Sequence, residues 1–321
     1  MTDDITVFTG SAHPEFAREM CQILGVDLSP THITRFSNDC LQVQLRANCR
    51  RNDVYIVQPL VPPVQENLVE LLLMLDAARG ASAAHITAVI PHYSYARSDK
   101  KDAPRISIGG RLVADMISAA GATRVITMSL HSEQVHGFFN VPVDHLSAVR
   151  ELADHFRDTD LTDTVVVSPD FGYAKVASEF ARLLDLDVAV GSKRRMSDDK
   201  VVIDQIVGDV EGKKVIIIDD EIATAGSMIE LMDKLREYDT QGTSIVCTHG
   251  LFTGKAVERL NSRAEIDQIV TTDTVPLTAD RVPNRLKARS AAPLFAEAVR
   301  RHNSGSSISS LFSDEVTYGM W

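Results

Sequence analysis

The chain has 321 residues, about twice the length of a typical domain, which predicts two globular domains. Hydrophobic residues make up 44% and charged residues 24%, a composition that leaves no room for a large disordered region. The formal net charge of -11 argues against general binding to nucleic acid or to anionic membranes, because both attract basic protein surfaces.

Other features favour a soluble cytoplasmic protein. The first residues are acidic where a signal peptide would be basic, and no apolar segment follows them. The most apolar run, residues 68–75, contains Glu70 and is far shorter than the roughly 20 residues that a membrane helix needs. The cysteines show no C-x-x-C pair and no metal-ligand spacing, so we expect reduced thiols at Cys21, Cys40, Cys49 and Cys247.

Short β-branched runs alternate with longer segments of helical periodicity, which is the pattern of βαβ units around a parallel sheet. In the first half, strands are predicted at 5–8, 54–58, 86–90 and 125–128, and helices at 14–24, 67–79 and 110–120. Pro14 is suited to the start of its helix, and a glycine follows each of these helices, as capping preferences favour.

The second half repeats this alternation. Strands are predicted at 165–167, 188–190, 215–218, 245–247 and 269–271, and helices at 174–184, 228–238 and 291–302. We therefore predict an α/β fold of two doubly wound parallel-sheet domains in tandem duplication, covering 1–147 and 148–321. The boundary precedes a helical segment at 150–156, and no linker rich in Gly, Ser or Pro separates the domains.

The clearest chemical motif follows the predicted strand 215–218. Asp219 and Asp220 lead into a small-residue loop and then a helix, so unpaired backbone N–H groups converge on a point that suits a phosphate. Paired carboxylates at the carboxyl end of a parallel strand can accept hydrogen bonds from ribose hydroxyls or bind a hydrated metal. The alternative is an ordinary strand-loop-helix corner with a solvated acidic pair.

Two common nucleotide-binding signatures are absent from the sequence. There is no G-x-x-x-x-G-K-[ST] motif, since the nearest segment, 250–256, has the wrong spacing and ending, and no G-x-G-x-x-G occurs. The sequence therefore disfavours a P-loop kinase and a nicotinamide-dependent dehydrogenase.

A family resemblance extends this interpretation. The segment 219–227 resembles the phosphoribosyl-pyrophosphate loop shared by phosphoribosyltransferases and ribose-phosphate pyrophosphokinases. Further segments resemble the pyrophosphokinases in order and spacing, from about residue 5 to 312: 34–38, 91–99, 120–125, 130–131, 137–139, 168–170 and 193–195. The resemblance implies two domains of phosphoribosyltransferase type, with ATP held mainly by the first and ribose 5-phosphate by the second.

The resemblance implies an ATP site in the first domain. Phe36 and Asn38 match an adenine-contacting loop that family members extend into a neighbouring subunit. Arg97 matches a phosphate-contacting arginine in a stretch that includes Ser98 and Asp99, and a planar guanidinium suits that contact. On local pattern alone, Phe36 would be a core residue and Arg97 part of a solvated basic turn.

The metal and catalytic residues also rest on the resemblance. His131 and Asp170 match residues that handle Mg²⁺ at the ATP phosphates; Asp170 is the more natural direct ligand, because magnesium prefers oxygen. Lys193 and Arg195 match a mobile catalytic loop, in which two cations would neutralise charge on the transferring group. Without the resemblance, His131 would be structural and the cations would be surface charge.

The resemblance assigns the acidic motif to the sugar. Asp219 and Asp220 would hold the ribose hydroxyls, and the following loop would hold the 5-phosphate. The implied reaction transfers the diphosphoryl group of ATP to the anomeric hydroxyl of ribose 5-phosphate and releases AMP. The family commonly forms dimers that build hexamers, so a homo-oligomer is expected. The phosphate loop comprises Ala223, Thr224, Ala225, Gly226 and Ser227.

Departures from the family pattern lie near the implied substrates. Ser129 and Ala223 replace aspartates, Ser98 replaces a glutamine, and Cys40 replaces a glutamate. Segment 102–107 is less basic than in the allosteric members, so we expect phosphate-independent activity and ADP inhibition by competition with ATP. The alternatives left open are a non-catalytic homologue that associates with active enzymes, and a phosphoribosyltransferase.

Overall fold

The computed structural model describes residues 5–197 and 200–311, except for the side chains of residues 193–197, 200–202 and 310. The chain forms two compact units. The first unit runs to Ser147 and also includes Thr274–Pro276 and the segment from Ala291 onwards. The second unit contains Ala148–Asp273 and Leu277–Ser290.

Helices and strands alternate along most of the chain. The first part contains β1 Ile5–Thr9, α1 Pro14–Leu24, β2 Thr31–Arg35, β3 Leu41–Leu45, β4 Asp53–Val57, α2 Val64–Gly80, β5 His85–Ile90, α3 Gly109–Ala120, β6 Arg124–Met128 and β7 Val143–Leu146. The second part contains α4 Val149–Asp154, β8 Thr164–Ser168, α5 Ala174–Leu183, β9 Asp187–Ser197, β10 Lys200–Val207, β11 Lys214–Ile222, α6 Gly226–Leu235, β12 Thr243–Gly250, α7 Ala256–Asn261, β13 Ile266–Thr272, β14 Leu286–Arg289 and α8 Ala292–Ser304.

The first unit is built on a parallel sheet of order β1-β4-β5-β6-β7. One face packs on α2 and α3, through a core that includes Ile56 and Leu71. The opposite face carries Tyr55, whose hydroxyl lies 2.8 Å from Nδ1 of His302 in α8. Helices therefore cover both faces of this sheet.

Helix α8 belongs to the first unit although it lies at the far end of the chain. Its Phe295 packs edge-on against Phe16 of α1, with ring centroids 5.4 Å apart. Asn303 donates a hydrogen bond to Oδ2 of Asp53 at 3.1 Å, at the start of β4. The predicted second domain, 148–321, therefore combines segments of both units.

The second unit has a sheet of order β10-β9-β8-β11-β12-β13-β14, in which only the β9–β10 pair is antiparallel. From β8 the chain passes through α5 to β9, towards one edge of the sheet. From β11 it passes through α6 to β12 and on to β14, towards the other edge. The direction of winding therefore reverses between β8 and β11.

The predicted α/β class with parallel sheets is confirmed, and so is each predicted strand and helix, with shifted ends. Strand β9 shows the largest shift and runs on to Ser197. Strand β11 continues to Ile222, so the acidic pair belongs to the strand rather than to a loop. Strands β2, β3, β7, β10 and β14 and helix α7 were not predicted from the sequence. No helix in the described residues is long and apolar enough to cross a membrane.

The contact between α8 and β4 predicts a pH-dependent stability. Burial, and then the positive charge of Arg124, lower the pKa of His302 below its ordinary 6.5. The unfolded chain therefore binds this proton more tightly than the folded protein, and stability falls as the pH drops through 6.5. We expect His302→Gln to lower the Tm by about 2–4 °C at pH 7.5. The difference in Tm between wild type and this variant should be smaller at pH 5.

Thermal unfolding followed by circular dichroism between pH 5 and 8 measures this effect. Exposed His32 on β2 provides the matched control, and His32→Gln should shift the Tm little at any pH. A gap between wild type and His302→Gln that stays constant over the whole pH range would contradict the assignment.

Candidate functional site

The reversal of winding in the second unit creates a crevice at the carboxyl ends of β8 and β11. Strand β11 pairs with β8 only as far as Ile217, opposite Val167, but pairs with β12 as far as Ile222. The last residues of β11 therefore project beyond β8, beside the loop that leaves Ser168. In open α/β sheets, ligands bind in the crevice at such a reversal point.

An acidic cluster of Asp170, Asp219 and Asp220 lies at this crevice. The backbone N–H of Asp220 donates to Oδ1 of Asp219 at 3.0 Å, and the Asp220 side chain is only 5% exposed. Burial, and then the neighbouring Asp220, raise the pKa of Asp219 well above its ordinary range, and Asp170 acts in the same direction. These carboxylates repel one another, so the cluster favours hydroxyl donors or a cation.

The orientation of Asp170 is fixed by the start of α5. Its Oδ1 accepts the N–H groups of Gly172 at 3.0 Å and Tyr173 at 3.3 Å, while Ser168 Oγ donates to its carbonyl at 2.7 Å. A carboxylate that accepts the N–H groups two and three residues further on stabilises a tight turn, here the turn just before α5. Asp170 is therefore held in one orientation as a hydrogen-bond acceptor.

The loop between β11 and α6 consists of Ala223, Thr224 and Ala225. Ala225 has a left-handed backbone conformation, φ 60°, which is uncommon for a residue other than glycine. It is the N-cap of α6 and makes no capping hydrogen bond with its side chain. The first N–H groups of α6, at Gly226 and Ser227, have no partner within the helix and form a favourable place for an anion.

Three residues at this crevice were missed in the sequence analysis. Arg259 of α7 donates from Nη1 to the carbonyl of Thr224 at 2.8 Å, which brings a cation to the loop. Burial, and then Asp220 and Asp219, raise the pKa of Tyr173 well above its ordinary range, so its phenol stays protonated and can donate. Cys247 lies opposite Asp219 on β12, and burial raises the pKa of its thiol to about 12.

In the first unit, Phe36 and Asn38 lie at the tip of the β2–β3 hairpin. Phe36 is 49% exposed, so local pattern alone, which predicted a core residue, was wrong. The Phe36 N–H donates to the carbonyl of Cys40 at 2.9 Å, and Asn38 Oδ1 accepts the Cys40 N–H at 3.3 Å. The tip is therefore an ordered turn that presents an aromatic ring to the outside.

Arg97, Ser98 and Asp99 follow β5, at the end of a short 3₁₀ helix. Arg97 is exposed. Ser98 ties this segment to α3, because its Oγ accepts the N–H of Gly109 at 2.9 Å and its carbonyl accepts the N–H of Gly110 at 2.9 Å. The geometry therefore gives Ser98 a structural contact at the start of α3, whereas Arg97 is accessible.

The remaining predicted residues are placed as follows. His131 is exposed just after β6 in the first unit, whereas Asp170 lies in the second. Lys193 and Arg195 lie on β9, and their side chains are outside the described residues. Among the side chains described, no three of His, Cys, Asp or Glu form a group that could hold a metal ion.

A parallel α/β sheet with carboxylates and an open helix N-terminus at its reversal point is typical of proteins that bind phosphorylated sugars or nucleotides. Family comparison specifies this class. Residues 5–121 match the N-terminal domain of ribose phosphate pyrophosphokinase, and residues 195–313 match the phosphoribosyl synthetase-associated domain.

Individual relatives match over nearly the full length. A Streptomyces coelicolor protein, provisionally named as a ribose-phosphate pyrophosphokinase, is 60% identical over 96% of this chain and 98% of its own. The ribose-phosphate pyrophosphokinase of Deinococcus radiodurans is 46% identical over 96% and 98%. The crystal structure of phosphoribosylpyrophosphate synthetase from Mycobacterium smegmatis is 35% identical, with a TM-score of 0.89, and the match covers 94% of this chain and 100% of that one. The chain belongs to the ribose-phosphate pyrophosphokinase family.

Proposed function

We propose that the protein transfers the diphosphoryl group of ATP to the anomeric hydroxyl of ribose 5-phosphate, giving phosphoribosyl pyrophosphate and AMP. The observation that carries this proposal is the juxtaposition of the acidic cluster with the open N-terminus of α6, at one edge of one sheet. A sugar phosphate has hydroxyl donors that complement the acidic cluster and a phosphate anion that complements the N-terminus of α6. The names of the full-length relatives support the same reaction.

The sugar is bound through complementary charge. Asp219 and Asp220 accept hydrogen bonds from the ribose hydroxyls, which offsets the burial and the repulsion by Asp220 that raise the pKa of Asp219. The N–H groups of the loop and of the first turn of α6 hold the 5-phosphate. The guanidinium of Arg259 adds positive charge beside that phosphate and fixes the loop through the Thr224 carbonyl.

ATP is bound by the first unit. The exposed ring of Phe36, with Asn38, contacts adenine. The exposed guanidinium of Arg97 and the side chain of His131 contact phosphate, and Asp99 also contributes to the site. A hairpin tip that exposes an aromatic ring also suits contact with a neighbouring subunit. We therefore propose a homo-oligomer in which dimers build a hexamer, acting in the cytoplasm without nucleic acid or membrane as partner.

The donor chemistry of the acidic cluster suits Mg²⁺, although the described side chains do not by themselves form a complete set of metal ligands. The mutual repulsion of Asp170, Asp219 and Asp220 is the environment that a hard cation relieves, and carboxylate oxygens are its preferred ligands. Asp170 and His131 would hold the ion at the ATP phosphates, with His131 acting partly through water. When bound, Mg²⁺ neutralises charge on the diphosphoryl group.

The protein's own residues position the substrates and neutralise the charge that develops during transfer. The sugar site directs the anomeric hydroxyl at the β-phosphorus of ATP. A new P–O bond forms there, the bond from the β-phosphorus to the oxygen that leaves with AMP breaks, and the hydroxyl proton is released to solvent. Lys193 and Arg195 neutralise the charge that develops on the transferring group and on AMP. No covalent intermediate with the protein is needed.

One assay separates this function from the alternatives. Purified protein with ATP, Mg²⁺ and ribose 5-phosphate should release AMP and form phosphoribosyl pyrophosphate in equal amounts. A phosphoribosyltransferase would instead consume phosphoribosyl pyrophosphate with a nucleobase, and a non-catalytic homologue would show no turnover. Absence of AMP release at saturating substrates would overturn the proposal.

The roles of Lys193 and Arg195 are tested by separating rate from affinity. If they act on charge that develops only in the transition state, Lys193→Ala should lower kcat at least about 10²-fold and leave ATP affinity nearly intact. Because both cations would act on the same phosphates, the double substitution with Arg195→Ala should cost less than the product of the single effects. A Lys193→Ala enzyme within about threefold of wild-type kcat would exclude this mechanism.

Arg259 is tested through the sugar substrate. Arg259→Gln removes the cation and its charge-assisted hydrogen bond to the loop, so we expect the KM for ribose 5-phosphate to rise about tenfold or more. The KM for ATP should change little. Lys255→Gln, which removes one exposed positive charge just before the same helix, is the matched control. Equal effects of both substitutions would show that Arg259 contributes only general charge.

A further inference from the structure

The segment that carries His131 leaves β6 through a strained turn. Ser129 has φ 41°, a backbone conformation uncommon for a residue other than glycine. The segment continues the β6–β7 pairing by one bond, since the Ser129 N–H donates to the carbonyl of Leu146 at 2.9 Å. The side chain of Leu130 is buried in the core of the first unit, and His131 is exposed. The turn must be held in place for His131 to keep its position.

A histidine on the neighbouring strand supplies a second attachment to this turn. His145 lies opposite Thr127 in the β6–β7 register, and its Nε2 accepts the N–H of Leu130 at 2.8 Å. A backbone N–H can only donate, so Nε2 must carry the lone pair and the ring proton must sit on Nδ1. The contact therefore needs a neutral imidazole in one particular tautomer.

The surroundings of His145 favour that neutral form. Burial lowers the pKa of His145; Glu133 acts in the opposite direction, and His136 acts with the burial. Both of these groups lie on the 3₁₀ helix Glu133–Phe138, which packs on β7. A positively charged ring at this site would bring a second donor against the Leu130 N–H and lose the bond.

We propose that His145 is a positioning residue for the ATP site: its Nε2 fixes the Leu130 backbone and thereby holds His131 where the nucleotide phosphates are bound. This rests on the proposed function, because the ATP role of His131 belongs to it. Without His145, the turn would keep the hydrogen bond of Ser129 and the buried side chain of Leu130, but the Leu130 N–H would lose this acceptor. His145 thus acts through Leu130 and does not itself contact the substrate.

Three substitutions separate an acceptor role from a packing role. In His145→Gln, Oε1 is as many bonds from Cβ as Nε2 and can accept the same N–H; in His145→Asn, Oδ1 corresponds to Nδ1 and falls short. His145→Leu keeps much of the volume and has no acceptor. We expect kcat/KM for ATP to fall about tenfold or more in the Leu and Asn variants. In the Gln variant it should stay within about threefold of wild type. The KM for ribose 5-phosphate should stay nearly constant in all three variants.

Two measurements test the contact without depending on turnover. Nitrogen-15 chemical shifts of histidine-labelled wild-type protein should show His145 protonated at Nδ1 and unprotonated at Nε2. Amide hydrogen exchange of the 129–131 segment should speed up about tenfold or more in the Leu and Asn variants, while β6 itself stays protected. His155→Leu, which breaks the 2.9 Å contact of His155 Nε2 with Gln268 in the second unit, is the control for loss of a histidine contact.

The outcomes are distinct. Loss in Leu and Asn with recovery in Gln, together with the Nδ1-protonated ring, supports the proposal. Equal loss in all three variants, unchanged exchange at 129–131, faster exchange with unchanged kcat/KM for ATP, or a proton on Nε2 would each overturn it. If wild type releases no AMP, the proposed function fails, and the exchange data together with direct ATP-binding measurements on the same variants still decide whether His145 positions this segment.

Discussion

The unequal pairing of β11 with its two neighbours is the constraint on which the second unit's site depends. On one side the ladder to β8 stops at Ile217, whereas on the other side the ladder to β12 runs on to Ile222. The extra residues are thus held straight by one neighbour and left open on the other side. If β8 were longer, its own backbone would occupy the place where Asp219 and Asp220 now face the loop from Ser168.

In the free protein, this crevice contains electrostatically unfavourable groups. Asp170 is stabilised by N–H groups of the turn before α5, but Asp219 is held beside Asp220 with its pKa raised, and the open end of α6 carries no side-chain cap. The last two features, at Asp219 and at the N-terminus of α6, cost stability in the free protein. They become favourable when hydroxyls, a cation or a phosphate bind. Part of the binding energy of the ligand therefore comes from the relief of unfavourable interactions in the free protein.

Sequence patterns predicted the buried parts of this architecture better than its edges. Strands such as β8 and β11 are continuous apolar runs, the expected sign of a parallel strand covered on both faces. Strand β2 has one apolar residue, so its periodicity is weak, and β14 is short, charged and mostly exposed. Strand β3 does alternate apolar and polar residues, but over only five positions. Arg259 and His145 could not be found locally, because their partners Thr224 and Leu130 are distant in sequence and are contacted through backbone atoms, which every residue shares.

The placement of α8 has a consequence for biosynthesis. Tyr55 and His302 are 247 positions apart, so the first sheet to emerge from the ribosome keeps one apolar face open until the last helix is made. The second unit, whose segments end at Ser290, can close before the first. A chain that stops short of Ala292 would expose Phe16 and the β4 face, and such exposed apolar surface directs a protein to chaperones and proteases. The first unit can therefore complete its fold only after translation has reached the end of α8.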